Sequence, residues 1–293
     1  MTMLTTTPMT MLDASEARLA AALEQCGWQP AEPGRWHLRT DASQAILLFA
    51  AHRDPWRQFF LSGGAIPPTS PDRMLSDNAH LPGPAKFVLR DDRTPAVRLD
   101  ISDAAATASS SAAYTLDHLS SEFAAENRWA QAITACVNGQ PQPAAVITQP
   151  HAIIAEIKHA GRTASLEEES IHVHLQLPGI YRKVTLEVGG DGEVNLTTVL
   201  VELTEYNDVA RTAVMLMVRA ANQRLPLVRF VHRESEQPPS IRAEVCFGRA
   251  LIPGGWLRVS LQAIEHAIAL TARELEALRD PALAELVLAA AAA

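Results

Sequence analysis

The chain has 293 residues, 47% of them hydrophobic and 20% charged, with a formal net charge of −8 at pH 7. That length suits two domains, and the apolar content supplies each with a core, which excludes wholesale disorder. The acidic excess, spread over both halves, argues against a nucleic-acid partner and an anionic membrane surface, since both require a basic face.

A helix is expected to start at Asp13 or Ser15, run through Leu19, Leu23 and Cys26, and stop at Gly27. Strands follow at Arg35–Thr40, Gln44–Ala51 and Arg57–Leu61, and then the proline-rich stretch Ala65–Pro84 reads as a long loop. Lys86–Arg90 and Ala96–Ile101 pair across a short polar turn, and a helix from Ala113 to Val137 ends at Asn138-Gly139. Gln140–Ala145 is the linker. The chain restarts with a helix capped by Thr148, its apolar face made by Ile153, Ile154 and Ile157 and its stop by Gly161. Strands are expected at Ser170–Leu177, Tyr181–Val188 and Val194–Leu203. Asn207–Arg224 is a helix apolar almost all round, which calls for cover on more than one side. A hairpin of Leu227–Arg233 and Ile241–Phe247 leads to a last helix over Gly255–Arg279, striped by Leu257, Leu261, Ile264, Ile268, Leu275 and Leu278.

The chain repeats itself. Phe87-Val88-Leu89-Arg90 precedes Pro95-Ala96-Val97-Arg98-Leu99-Asp100-Ile101, and Phe230-Val231-His232-Arg233 precedes Pro239-Ser240-Ile241-Arg242-Ala243-Glu244-Val245. Two matched segments in the same order, each followed by a helical stretch, read as a duplicated domain. The expected copies span 12–139, with the middle helix replaced by the Pro-rich loop, and 148–293, complete. Each is α+β: helix, three strands, helix, two strands, helix, with antiparallel strands and helices on one face.

That order, with the Arg-bearing hairpin and the acidity, resembles the type III secretion chaperone-like fold, to which the bacterial sensory transduction regulators of the YbjN type belong. The resemblance covers Thr148–Leu278 and, in degraded form, Asp13–Val137. It implies a small acidic protein that binds an extended segment of a partner protein and carries out no catalysis. It also implies dimerisation, here as an internal pseudo-dimer or as a homodimer. The first copy departs in lacking the middle helix, which in such chaperones forms the dimer contact.

Chemical signatures are few. His172 and His174 share one face of a strand, a spacing able to chelate a metal, with Glu167–Glu169 near in sequence but no third ligand at a recognisable spacing. There is no Gly-x-Ser-x-Gly elbow and no phosphate-cradling glycine motif; Gly63-Gly64 and Gly189-Gly190 read as turns. Cys26, Cys136 and Cys246 are far apart and form no CxxC pair, so reduced buried thiols are expected. Arg98 and Arg242, at equivalent places in the repeat, could form an anion clamp; the expectation is that they pair across the sheet with neighbours such as Asp100 and Glu244. Trp56, Tyr181, Arg182, Val209, Leu216, Met217 and Trp256 are the candidates for partner contact. No stretch approaches the ~20 apolar residues of a membrane span, and Met1 to Met11 has neither the basic nor the apolar run of a signal peptide. The expectation is a cytoplasmic, non-enzymatic adaptor or chaperone with no cofactor. The competing readings are a small-ligand or metal-binding protein or enzyme using the His172/His174 face, and a scaffold subunit of a larger assembly.

Overall fold

The computed structural model describes residues 29–32, 35–39, 45–53, 56–63, 73–80, 85–89, 95–102, 149–189, 194–247 and 256–292. The expected helices over 13–27 and 113–137, the linker, and Cys26 and Cys136 lie outside the described residues.

The protein is α+β, with antiparallel pairing throughout both of its sheets. The first sheet holds β1 (Gln29–Glu32), β2 (Arg35–Arg39), β3 (Ala45–Arg53), β4 (Trp56–Gly63), β5 (Ala85–Leu89) and β6 (Pro95–Ser102). The second holds β7 (Thr163–Glu167), β8 (Ser170–Leu177), β9 (Ile180–Val188), β10 (Val194–Glu202), β11 (Arg229–Arg233) and β12 (Ser240–Phe247). Their orders are β1-β2-β3-β4-β6-β5 and β7-β8-β9-β10-β12-β11, the same sequence of strands twice. In each, four strands meander and the last two form a hairpin whose second strand inserts beside the fourth.

Five helices accompany the sheets among the described residues: α1 (Met74–Asp77), α2 (Pro150–His159), α3 (Asp208–Arg224), α4 (Trp256–Ala277) and α5 (Pro281–Ala292). The core of the second half forms where one face of β8–β12 meets α2 and α4. Alternate strand residues Ile171, Val173 and Leu175 close on Ile153 and Ile157 of α2, while Leu261, Ile264 and Ile268 of α4 lie over the β10–β12 side. Period 2 on the strands and period 3.6 on the helices bring both apolar faces to one layer.

Local chemistry sets the helix ends. Asn207 caps α3 by accepting from the Ala210 N–H at 2.8 Å. Pro150 opens α2 with a ring that costs the first turn no hydrogen bond, and Gly161 follows its end at φ +76°, a left-handed conformation that favours glycine. α4 stops at Ala277, and a turn at Leu278–Asp280 starts α5, where the Asp280 carboxylate accepts from the Ala282 N–H at 3.0 Å. The apolar stripe predicts one helix to Arg279, whereas the chain breaks at Ala277 and forms the separate α5. Among the described residues no helix is long and apolar enough to cross a membrane.

Several expectations need correction. Each sheet has a strand more than the pattern indicated: β1 and β7 are short edge strands with little apolar alternation. The proline-rich stretch is not all loop: Met74 and Leu75, both buried, anchor α1 and a 3-10 turn over Asn78–His80. The two hairpins also differ in register. Val97 stands opposite Phe87, whereas Ala243 stands opposite Phe230, so Arg98 faces Lys86 but Arg242 faces Val231. The slip is two residues, which keeps every side chain on its own face. Arg98 does hold Asp100, at 2.8 Å, two residues along its own strand. Arg242 instead pairs with Glu236, while Glu244 is taken by Arg229 at 3.1 Å and Arg233 at 2.7 Å.

The halves are joined by a reciprocal clasp. α1, from the first, packs on β11 of the second, and α3, from the second, packs on β5 of the first. β5 and β11 are the outer strands of their sheets, and side-chain amides occupy their backbone groups. Asn78 Oδ1 accepts from the Phe87 N–H (2.6 Å) while its Nδ2 donates to the Phe230 carbonyl (3.2 Å). Asn222 Oδ1 accepts from the Phe230 N–H (2.8 Å), and its Nδ2 donates to the same carbonyl (3.2 Å). Gln223 donates to the Leu89 carbonyl. Each amide stands in for the peptide group of a neighbouring strand.

Asn78→Ala and Asn222→Ala each leave a buried strand N–H without its acceptor, so each is expected to cost about 1–3 kcal/mol in urea denaturation. Because both amides meet at the Phe230 carbonyl, the double variant should show a non-additive term in the mutant cycle.

Candidate partner-binding site

The edge that the clasp leaves open in the second sheet is β7. Among the described residues β7 pairs with β8 alone. Its burial differs from that of β11, where Arg229, Phe230 and Val231 are all buried: Thr163, Leu166 and Glu167 are exposed and the rest only half-buried. Leu166 and Ala164 lie on the core side, opposite Ile171 and Val173, and Leu166 is 40% exposed beyond the cover of α2. The turn after β7 carries Glu168, at φ +57°, and Glu169, both exposed. At its start, Arg162 is fixed by a two-pronged pair to Glu265 of α4 (2.7 and 2.8 Å).

The face of β7–β9 turned away from the helices is polar. Cross-strand pairing sets Thr163, His174 and Lys183 in one row and Ser165, His172 and Thr185 in the next. Glu167 accepts from Lys183 Nζ at 2.9 Å and Ser165 Oγ at 3.2 Å, with His172 Nε2 at 3.4 Å. These donors, Lys183 foremost, hold the Glu167 carboxyl below its ordinary range. Thr185 Oγ1 lies 3.3 Å from His172 Nδ1. The Tyr181 hydroxyl meets His174 Nδ1, and the two rings stack at 5.9 Å between centroids.

The residues singled out in the sequence do not converge on one site. Tyr181 is on this outer face and 60% exposed. Arg182 turns to the opposite face, opposite Leu175, and donates to the Leu200 carbonyl at 3.2 Å and to the Tyr181 carbonyl at 3.0 Å. Val209 is exposed at the start of α3, whereas Leu216 and Met217 are half-buried on that helix, which touches α5, α4, β5 and β11. Trp56 opens β4 and Trp256 opens α4; their side chains lie outside the described residues. What the fold does assemble is Glu167, His172, His174, Tyr181 and Lys183 beside a strand edge that sequence reading missed. The one available signal was the weak alternation of Ala164 and Leu166 with Ser165 and Glu167.

Among the described residues no group of three His, Cys, Asp or Glu is arranged to hold a metal ion. His172 is instead tied to Glu167 and Thr185, and His174 to Tyr181. The Cys246 thiol is buried, with Arg229 Nη2 at 3.2 Å and Asn195 Oδ1 at 3.0 Å. Comparison of the chain with models of known families, with characterised proteins and with solved structures found no match in any of the three.

Lys183→Met removes the first donor to Glu167. The Glu167 carboxyl, followed by carbon-13 NMR, should then titrate closer to its ordinary range, while the stacked His174–Tyr181 pair keeps its contact.

Proposed function

We propose that this chain is a non-enzymatic adaptor or chaperone that binds an extended segment of a partner protein at the free edge of β7. The observation that carries this reading is the unequal treatment of the sheet edges. β5 and β11 have their backbone groups taken by Asn78, Asn222 and Gln223, whereas β7 has no such cover among the described residues. An uncovered edge strand is a template for another chain, and proteins that do not use one block it. A client laid along β7 gains main-chain hydrogen bonds and sets alternate side chains beside Leu166 and beside the Ser165–His172 row.

The wider reading is a tandem duplication of a secretion-chaperone-like unit. Its supports are the repeated strand order, the Phe-Val pairs of the repeat that fall on β5 and β11, and the reciprocal contacts of α1 and α3. In that reading the clasp is the internal counterpart of a chaperone dimer contact, with α1 as the remnant of the middle helix. A cytoplasmic location goes with it.

Glu168 and Glu169 at the end of β7 favour a client with basic residues there, so binding should weaken as salt rises. Leu166→Lys sets a charge on the core side of the edge, a device that repels added strands. Because Leu166 is already well exposed, stability should change by less than about 1 kcal/mol. Co-purification from cell extract followed by hydrogen exchange is the test. A stoichiometric protein partner that protects Thr163–Glu167 and is lost in Leu166→Lys is the expected result. A partner that leaves these amides unprotected, or a turnover activity abolished by replacing His172 and His174, would overturn the reading.

A further inference from the structure

Three charged side chains lie sealed inside the clasp: Lys86 on β5, and Arg98 and Asp100 on β6, none more than 2% exposed. They contact the connection from α3 to β11. Lys86 Nζ donates to the carbonyls of Leu225 and Val228, the latter at 2.9 Å, and lies 3.3 Å from Asp100 Oδ2. Arg98 donates through Nη1 to the Gln223 carbonyl at the end of α3 and through Nε to Asp100 Oδ1 at 2.8 Å. Asp100 Oδ2 accepts the Leu227 N–H at 3.0 Å, and Leu227 sits at φ +65°, drawn into a conformation unusual for a branched side chain.

Charge does not balance in this cluster if every group is ionised. The charged groups acting on Lys86 among the described residues are Asp100 and Arg98, two cations in all against one carboxylate. Arg98 does not release its proton under protein conditions. Asp100 accepts from Arg98 Nε and from the Leu227 N–H. Lys86 therefore carries the proton whose loss restores balance. The two carbonyls take two Lys86 N–H groups, which the neutral amine still supplies. The 3.3 Å separation from Asp100 exceeds the ~2.7–2.9 Å of a charge-assisted bond, the length that Arg98 does achieve.

We propose that the clasp is proton-coupled: closed, it holds Lys86 as the neutral amine, and opening returns that amine to water, where it takes up a proton. Burial is the largest influence on Lys86 and, with Arg98 helping and Asp100 opposing, brings its pKa from 10.5 down to about 7. Between those two values the open form binds one proton more than the closed form, so closure gains as pH rises through the window. Below about 7 both forms are protonated and the dependence ends. The other titratable groups of the clasp lie outside this window or are paired. His232 of β11, 3.4 Å from Ser76 of α1, is pushed below 6.5 by burial. Asp77 of α1 faces Arg73 at 3.7 Å, and Glu244 is held between Arg229 and Arg233.

Hydrogen exchange at the Phe87, Leu227 and Phe230 amides, corrected for intrinsic rates, reads the opening equilibrium directly. In the parent protein the opening constant should fall by up to about tenfold for each pH unit between about 7 and 9, the limit for one proton. Lys86→Met should abolish that slope. An independent reading, needing no variant, is the carbon-13 resonance of Lys86 Cε in the folded protein, expected to titrate with a midpoint near 7. A pH-independent opening constant in the parent, the same slope in Lys86→Met, or a Lys86 resonance that titrates near its ordinary 10.5 would each overturn the proposal.

Discussion

The C-terminal end of α3 is where the two halves of this protein become one structure. A helix leaves its last carbonyls without intrahelical partners, and that end carries partial negative charge. Here the carbonyls of Gln223 and Leu225 are answered by Arg98 and Lys86, N–H donors that arrive from the other sheet. The same two side chains meet at Asp100, which in turn fixes the Leu227 N–H and so the direction in which the chain leaves α3 for β11. Burying ionisable groups is expensive unless each finds its partner. The position of the helix, the course of the connection and the seating of β11 are therefore set together.

Around this cluster the sheets are terminated by side chains in place of strands. Asn78, Asn222 and Gln223 present amide groups at the outer backbone of β5 and β11, which satisfies N–H and C=O groups that burial would otherwise leave costly. The arrangement also decides which edges remain for other chains. β7, with Leu166 half out of the core and Glu168 and Glu169 beyond it, is formed quite differently from β11 although both end the same sheet.

Much of this architecture is legible in the residues. Alternation marks β8 to β10 to within a residue or two, and Asn207, Gly161 and the stripe Leu257–Leu275 fix three helices of the second half. The repeat placed Phe87 and Phe230 on corresponding outer strands. What escaped was of two kinds. Short edge strands such as β1 and β7 bury little, so hydrophobic pattern has nothing to record. Long-range polar contacts leave no periodic trace either. Asn78, Lys86 and Gln223 look like surface residues in the sequence, and only the fold brings Asn78 to Phe230 or Lys86 to Leu225. The hairpin register was missed for a related reason: a slip by two keeps the apolar pattern unchanged while exchanging the ion-pair partners of Arg242 and Glu244.

A contact that joins two halves of one chain differs in kind from the same contact between two molecules. Tethering makes its formation unimolecular, so dilution does not loosen it. It is also released from symmetry. In a dimer of identical subunits every residue of the interface appears twice, and a buried Lys86–Arg98–Asp100 group would have to be accommodated on both sides. In the second sheet β11 and β12 hold Arg229, Arg233 and Glu244, with Arg233 only half-buried. One side can thus serve as a sealed fastening while the other adapts to different demands, a division of labour closed to an assembly of equals.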